Sequence, residues 1–188
     1  MNRLNQTVLI TTFLAFSWLA MQMVHELGHV LGAAATGGRV VRVVLHPLSL
    51  SRTDVSPNPR PLAVAWAGPM VGVGLPLLAF LLAKVFRLPG AYLFRFFAGF
   101  CLVANGVYLG AGAFLAVGDA GDMLRHGSPR WLLAAFGLLA VPAGLALWNG
   151  LGPSFGLGPA RGRVSRSAAI TSAGLLVLAL AVGYWVGG

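Results

Sequence analysis

Five stretches of the chain, roughly 8–35, 62–86, 93–117, 131–149 and 168–187, are apolar and long enough to cross about 30 Å of hydrocarbon. That constrains the fold more than any other feature. Lipid offers no hydrogen bonds to an exposed backbone, so each stretch must satisfy its own amides as a helix. The expected fold class is therefore an all-α membrane protein, a polytopic bundle of about five transmembrane helices. Composition agrees. Charged residues are 9% of the 188 and mean hydropathy is +0.82, where a soluble domain carries about 25% charged residues. The first stretch follows Arg3 and runs on far past the length of a signal-peptide core, so it reads as an uncleaved signal anchor. The net charge of +9 reflects few acids rather than many bases. Without a groove of stacking aromatics, it points to anionic lipid headgroups and not to nucleic acid. Cys101, alone in an apolar run, is a packing residue and permits no internal disulfide.

Between the first two spans lies GGRVVRVVLHPLSLSRTDVSPNPR, residues 37–60. Gly37-Gly38 ends the helix. The β-branched run Val40 to Leu45 reads as a short strand or half of a hairpin, and Pro57 and Pro59 make the rest a loop. The glycine-rich stretch 150–160 is open to two readings, a loop or a short re-entrant piece. G-x-x-x-G pairs at Gly28/Gly32 and Gly106/Gly110 suit close helix packing. The chain divides into a three-span core, 1–125, and two additional helices in 126–188.

The first span contains His25-Glu26-Leu27-Gly28-His29. An ionisable group within hydrocarbon costs a few kcal/mol, so such a cluster marks a functional site by default. The spacing supplies a chemistry. Imidazoles at i and i+4 share a helix face and can reach one Zn²⁺, with Glu26 placed as a general base for water held there. The four acids (Glu26, Asp54, Asp119, Asp122) and four histidines (His25, His29, His46, His126) all fall on one side of the membrane, or in that half of it, if the spans alternate direction. A polar metal site opening toward that side accounts for the pattern.

A catalytic zinc takes three protein ligands and keeps one position open. Asp119, just after the third span in G-D-A-G-D-M-L, is the leading third ligand, with Asp122 one turn on as the alternative and His46 or His126 behind them. An aspartate after a helix is commonly a solvated cap or turn residue, which competes most strongly at Asp122 and Asp54. His46 precedes a proline and reads as a loop residue, and His126, between Arg125 and Gly127, as an interfacial one.

The combination resembles the site-2 protease family of intramembrane zinc metalloproteases, in a minimal form. The resembling residues are His25-Glu26-Leu27-Gly28-His29 with Gly32-Ala33-Ala34-Ala35 and Gly37-Gly38-Arg39-Val40, then Ala67-Gly68-Pro69, then Asp119-Ala120-Gly121, over roughly residues 8–125. The aspartate motif departs from the family, whose members carry an asparagine and a proline shortly before an Asp-Gly pair. Here positions 111 and 114 are Ala and Phe, and Asp119 is followed by Ala. The resemblance implies a role for Asn105, fourteen residues before Asp119, as a substrate or transition-state contact. It implies that the strand near 40–45 offers an edge to an unwound substrate. With five spans in this length, no PDZ-like or CBS-like domain is expected. It also places the site toward the cytoplasm. Arginine and lysine counts do not discriminate, with seven on the side where the first span starts and six on the other.

The expected function is hydrolysis of peptide bonds in a membrane protein or peptide substrate, with His25, His29 and Asp119 holding Zn²⁺ and Glu26 as the base. The alternative is a non-catalytic membrane zinc-binding protein or a degenerate protease. A metal transporter would need more polar residues in the other spans, and the second, fourth and fifth have almost none.

Overall fold

The computed structural model describes residues 2–49 and 51–187. The first helix, α1 (Asn2–Thr36), includes the polar residues ahead of the apolar run. At 1.5 Å per residue it is about 50 Å long, so it exceeds the hydrocarbon thickness and its ends reach beyond it. It stops where Gly37 turns left-handed at φ +78° and the Gly38 amide donates back to the Ala33 carbonyl at 2.8 Å. Only a residue without a Cβ takes that turn freely.

A two-stranded antiparallel hairpin follows, β1 (Val40–Val44) and β2 (Arg52–Val55), with Val40 opposite Val55 and Val44 opposite Arg52. The expected half-hairpin is thus a whole one. Its second strand occupies part of the segment read from sequence as loop. Arg52–Val55 is short and polar and leaves no apolar alternation to detect, and its pairing with β1 is what makes it a strand.

Four more helices are long: α2 (Pro61–Val85), α3 (Ala91–Leu115), α5 (Arg130–Trp148) and α6 (Arg166–Gly187). Pro61 opens α2 at a position where its missing N–H is no loss. Among the described residues, five helices are long and apolar enough to cross a membrane. The sixth, α4 (Gly118–Arg125), is a short amphipathic turn of chain after α3. The stretch 150–160 forms two short 3-10 turns, Gly152–Phe155 and Gly158–Ala160. The first lodges Phe155 against Leu9, Phe13 and Ala169, closing that end of the bundle.

Small residues decide how near the helices come. A Cβ on Gly28 would overlap the Ala67 carbonyl oxygen, so α1 and α2 meet backbone to backbone. Gly32 makes room for the Ala67 methyl one turn along. The second glycine pair does the same between α3 and α5. A Cβ on Gly137 would come within 2.7 Å of the Gly106 carbonyl, and one on Gly144 within 2.7 Å of that of Gly99. In hydrocarbon, where apolar surface gains little from leaving lipid, such close contact is the main attraction between helices. α5 therefore buttresses α3, while α6 lies along α1, joined through a 2.7 Å hydrogen bond between Thr12 and Ser172. α1 and α3 both pack on α2 but touch each other only briefly. The space between them is where the polar residues gather.

Gly28→Leu should therefore separate α1 from α2 and destabilise the protein by at least the ~1–3 kcal/mol typical of overpacking. Gly174→Ala, on α6 with open space around it, should leave stability unchanged or raised. Thermal unfolding in detergent checks both.

Candidate metal centre

His25, Glu26 and His29 project from one stretch of α1 and are each at most 7% exposed. Both imidazoles are held by their Nδ1 atoms. His25 Nδ1 lies 2.7 Å from Asn105 Oδ1, and His29 Nδ1 lies 2.9 Å from the Val64 carbonyl. Both partners only accept, because the Asn105 amide nitrogen is already donating to the Cys101 carbonyl at 2.9 Å. So each Nδ1 carries the proton, and each neutral ring turns a lone pair outward at Nε2.

Those two lone pairs converge. His25 Nε2 and His29 Nε2 are 3.1 Å apart, and Asp119 Oδ2 lies 2.8 Å from the first and 3.3 Å from the second. Ligand atoms around a tetrahedral ion with bonds of about 2.0–2.1 Å stand about 3.3 Å from one another. The observed triangle is close to one face of that tetrahedron. Among the described residues, His25, His29 and Asp119 form a group that could hold a metal ion.

The three candidate ligands come from two elements, the imidazoles from α1 and the carboxylate from α4. The α1–α2 approach at Gly28 puts Gly68 directly beneath the imidazoles. A Cβ there would overlap His29 Cε1 and Nε2 and sit 2.9 Å from His25 Nε2. Gly72, one turn on, leaves space for the Asn105 amide, 3.0 Å from where its Cβ would be. Asn105 itself is 1% exposed on α3. Its oxygen is engaged with His25, so its observed place is behind the imidazole as an orienting group. Asp119 arrives on the first turn of α4, after a reversal through Ala116 and Gly118, both at φ +54°.

Glu26 has a different partner. Its Oε2 accepts a 2.7 Å hydrogen bond from the Thr53 hydroxyl on β2, so the hairpin folds over the carboxylate. All these groups open into one cavity of about 1110 Å³. Its wall is apolar along Trp18, Met21, Val103 and Val107, and polar near Asp119 and β2.

The remaining sequence candidates stand elsewhere. Asp122 is half exposed at the cavity mouth and ion-paired with Arg125. His126 also lines the mouth, with Nδ1 2.8 Å from the Asp122 carbonyl. His46 lies edge-on to the Tyr184 ring of α6, 5.0 Å between centroids, and Asp54 pairs with Arg52 at 3.4 Å. None of the four joins the imidazole pair. Sequence reasoning passed over Thr53, the Val64 carbonyl and Tyr108, whose hydroxyl accepts from the Asp119 amide at 3.0 Å. Each is far along the chain from its partner, and no local pattern signals it. Gly68 carried a faint signal within Ala67-Gly68-Pro69.

No protein-family model, curated protein or solved structure matches the chain.

Asp119→Asn should weaken metal binding by more than the roughly 10–100-fold that loss of an outer partner costs, whereas Asp122→Asn should leave it unchanged. Titration of the purified protein with zinc or cobalt measures both.

Proposed function

We propose that this chain is an intramembrane zinc metallopeptidase of the site-2 protease type, cleaving membrane-embedded substrates. The observation that carries the proposal is the convergence of two imidazole lone pairs and one carboxylate oxygen in the cavity that also holds a buried Glu26. Three acceptors facing one point repel one another unless a cation lies between them, and a divalent ion balances them with charge to spare. Two imidazole nitrogens with one carboxylate oxygen, in near-tetrahedral disposition and with the fourth side open to a cavity, suit zinc best among common divalent ions. When bound, zinc supplies Lewis acidity, polarising a carbonyl and acidifying water.

The protein's own groups supply the rest. Asn105 and the Val64 carbonyl keep both Nε2 atoms deprotonated and aimed. Glu26 takes the proton of the attacking water and returns it to the leaving amine. Thr53 restrains one oxygen of that carboxylate through its hydroxyl, leaving the other to work. The apolar cavity wall accepts a substrate chain from lipid. A helical substrate must unwind first, since its carbonyls are otherwise occupied by its own hydrogen bonds. By the family's orientation, the cavity opens toward the cytoplasm.

Glu26→Gln is the decisive variant. It should keep stoichiometric zinc and lower cleavage of a co-expressed membrane substrate by about 10²–10⁴-fold, the usual contribution of a general base. Cleavage at the wild-type rate would refute the role of Glu26. Wild-type protein that binds zinc yet cuts nothing in a broad library of membrane segments would favour the non-catalytic reading.

Zinc affinity should also fall as the pH is lowered, because protons compete with the metal for the imidazole nitrogens. Affinities compared at pH 7.5 and pH 5.5 test this, and a flat profile would argue against imidazole ligation.

A further inference from the structure

We infer that Tyr108, on α3, is the positioning residue for the third metal ligand, anchoring Asp119. The inference rests on the metal-binding part of the proposed function and is independent of peptidase activity. Asp119 lies on the first turn of α4, where backbone N–H groups have no partner within the helix. Helices commonly satisfy such donors with a Ser, Thr, Asp or Asn side chain at the cap. Here the cap residue is Val117, which has no side-chain acceptor. The Asp119 amide instead donates to the Tyr108 hydroxyl at 3.0 Å, eleven residues back on α3.

Two further contacts tie Tyr108 to the same centre. A Cβ on Gly118 would overlap the Tyr108 hydroxyl, so the residue before the ligand is a glycine where the phenol needs its space. The opposite aspect of the side chain packs on the first ligand, with the His25 imidazole meeting the Tyr108 ring edge-on, 5.9 Å between centroids and 75° between planes. One side chain thus gauges the distance between α1 and α4, with its ring against one ligand and its oxygen against the backbone of another. A carboxylate on a two-turn helix that joins α3 through a short reversal needs such a stay, because a shift of about 1 Å would open the triangle of ligand atoms beyond tetrahedral spacing.

The test compares Tyr108→Phe with the wild-type protein in detergent. Phenylalanine keeps the ring against His25 and removes only the hydroxyl. Zinc affinity should fall about 10–100-fold, the effect of losing an outer-shell partner. The visible spectrum of the cobalt-loaded protein should shift or weaken as the third ligand loosens, an effect that a loss of overall stability alone would not produce. Tyr108→Leu, which also removes the ring, should lose at least as much affinity. Wild-type affinity and an unaltered cobalt spectrum in Tyr108→Phe would overturn the inference while leaving the metal site standing. Wild-type protein that binds no metal would instead remove the site itself.

Discussion

The contact of α1 with α2 at Gly28 governs the rest of the site. Because neither Gly28 nor Gly68 carries a side chain, two membrane helices meet backbone to backbone at the level of the histidines. That approach brings the Val64 carbonyl to His29 and leaves the space under both imidazoles open. Any bulk at either glycine would displace the rings or the helix, and the ligand triangle would be lost with it. The attraction that holds the helices so close is short-range packing, which weakens over a fraction of an ångström.

Polar satisfaction then does what packing alone does not. In an apolar setting an unpaired imidazole N–H is costly, so each Nδ1 is met by an acceptor, and the ring is left with one orientation and one tautomer. The same requirement places Thr53 on Glu26 and Tyr108 on the α4 amide. Elements that are remote in the chain are therefore joined at the cavity through single hydrogen bonds. The hairpin contributes Thr53, α3 contributes Asn105 and Tyr108, and α4 contributes the Asp119 amide.

The outer helices serve the core indirectly. α5 interlocks with α3 through facing glycines, and α6 runs along α1 and meets the hairpin at its far end, where Leu45 and Pro47 approach Gly183. The opposite end of the bundle is sealed by Phe13, Phe96, Trp148 and Phe155. The cavity lies away from that end, where His25, His29 and Asp119 meet.

Much of this was legible along the chain. Apolar runs of twenty or so residues admit one backbone solution in lipid, so the five spans emerged close to their observed bounds. The pairing of His25 with His29 and the place of Glu26 beside them are consequences of helical period, which any α-helix obeys. The choice of Asp119 over Asp122 is of another kind. Both sit on α4, and only the direction of the α3–α4 reversal, with Ala116 and Gly118 left-handed, turns the first toward the imidazoles and the second toward Arg125. The strand β2, the orienting place of Asn105 and the roles of Thr53 and Tyr108 likewise depend on contacts between segments eight to eighty residues apart. Sequence alone determined the spans and the pairing of the two imidazoles on one helix face, because those follow from local hydrogen bonding and period. Tertiary structure decided which distant groups complete the site, because a hydrogen bond across a bundle depends on how close two helices come, and that is settled by the fit of their surfaces.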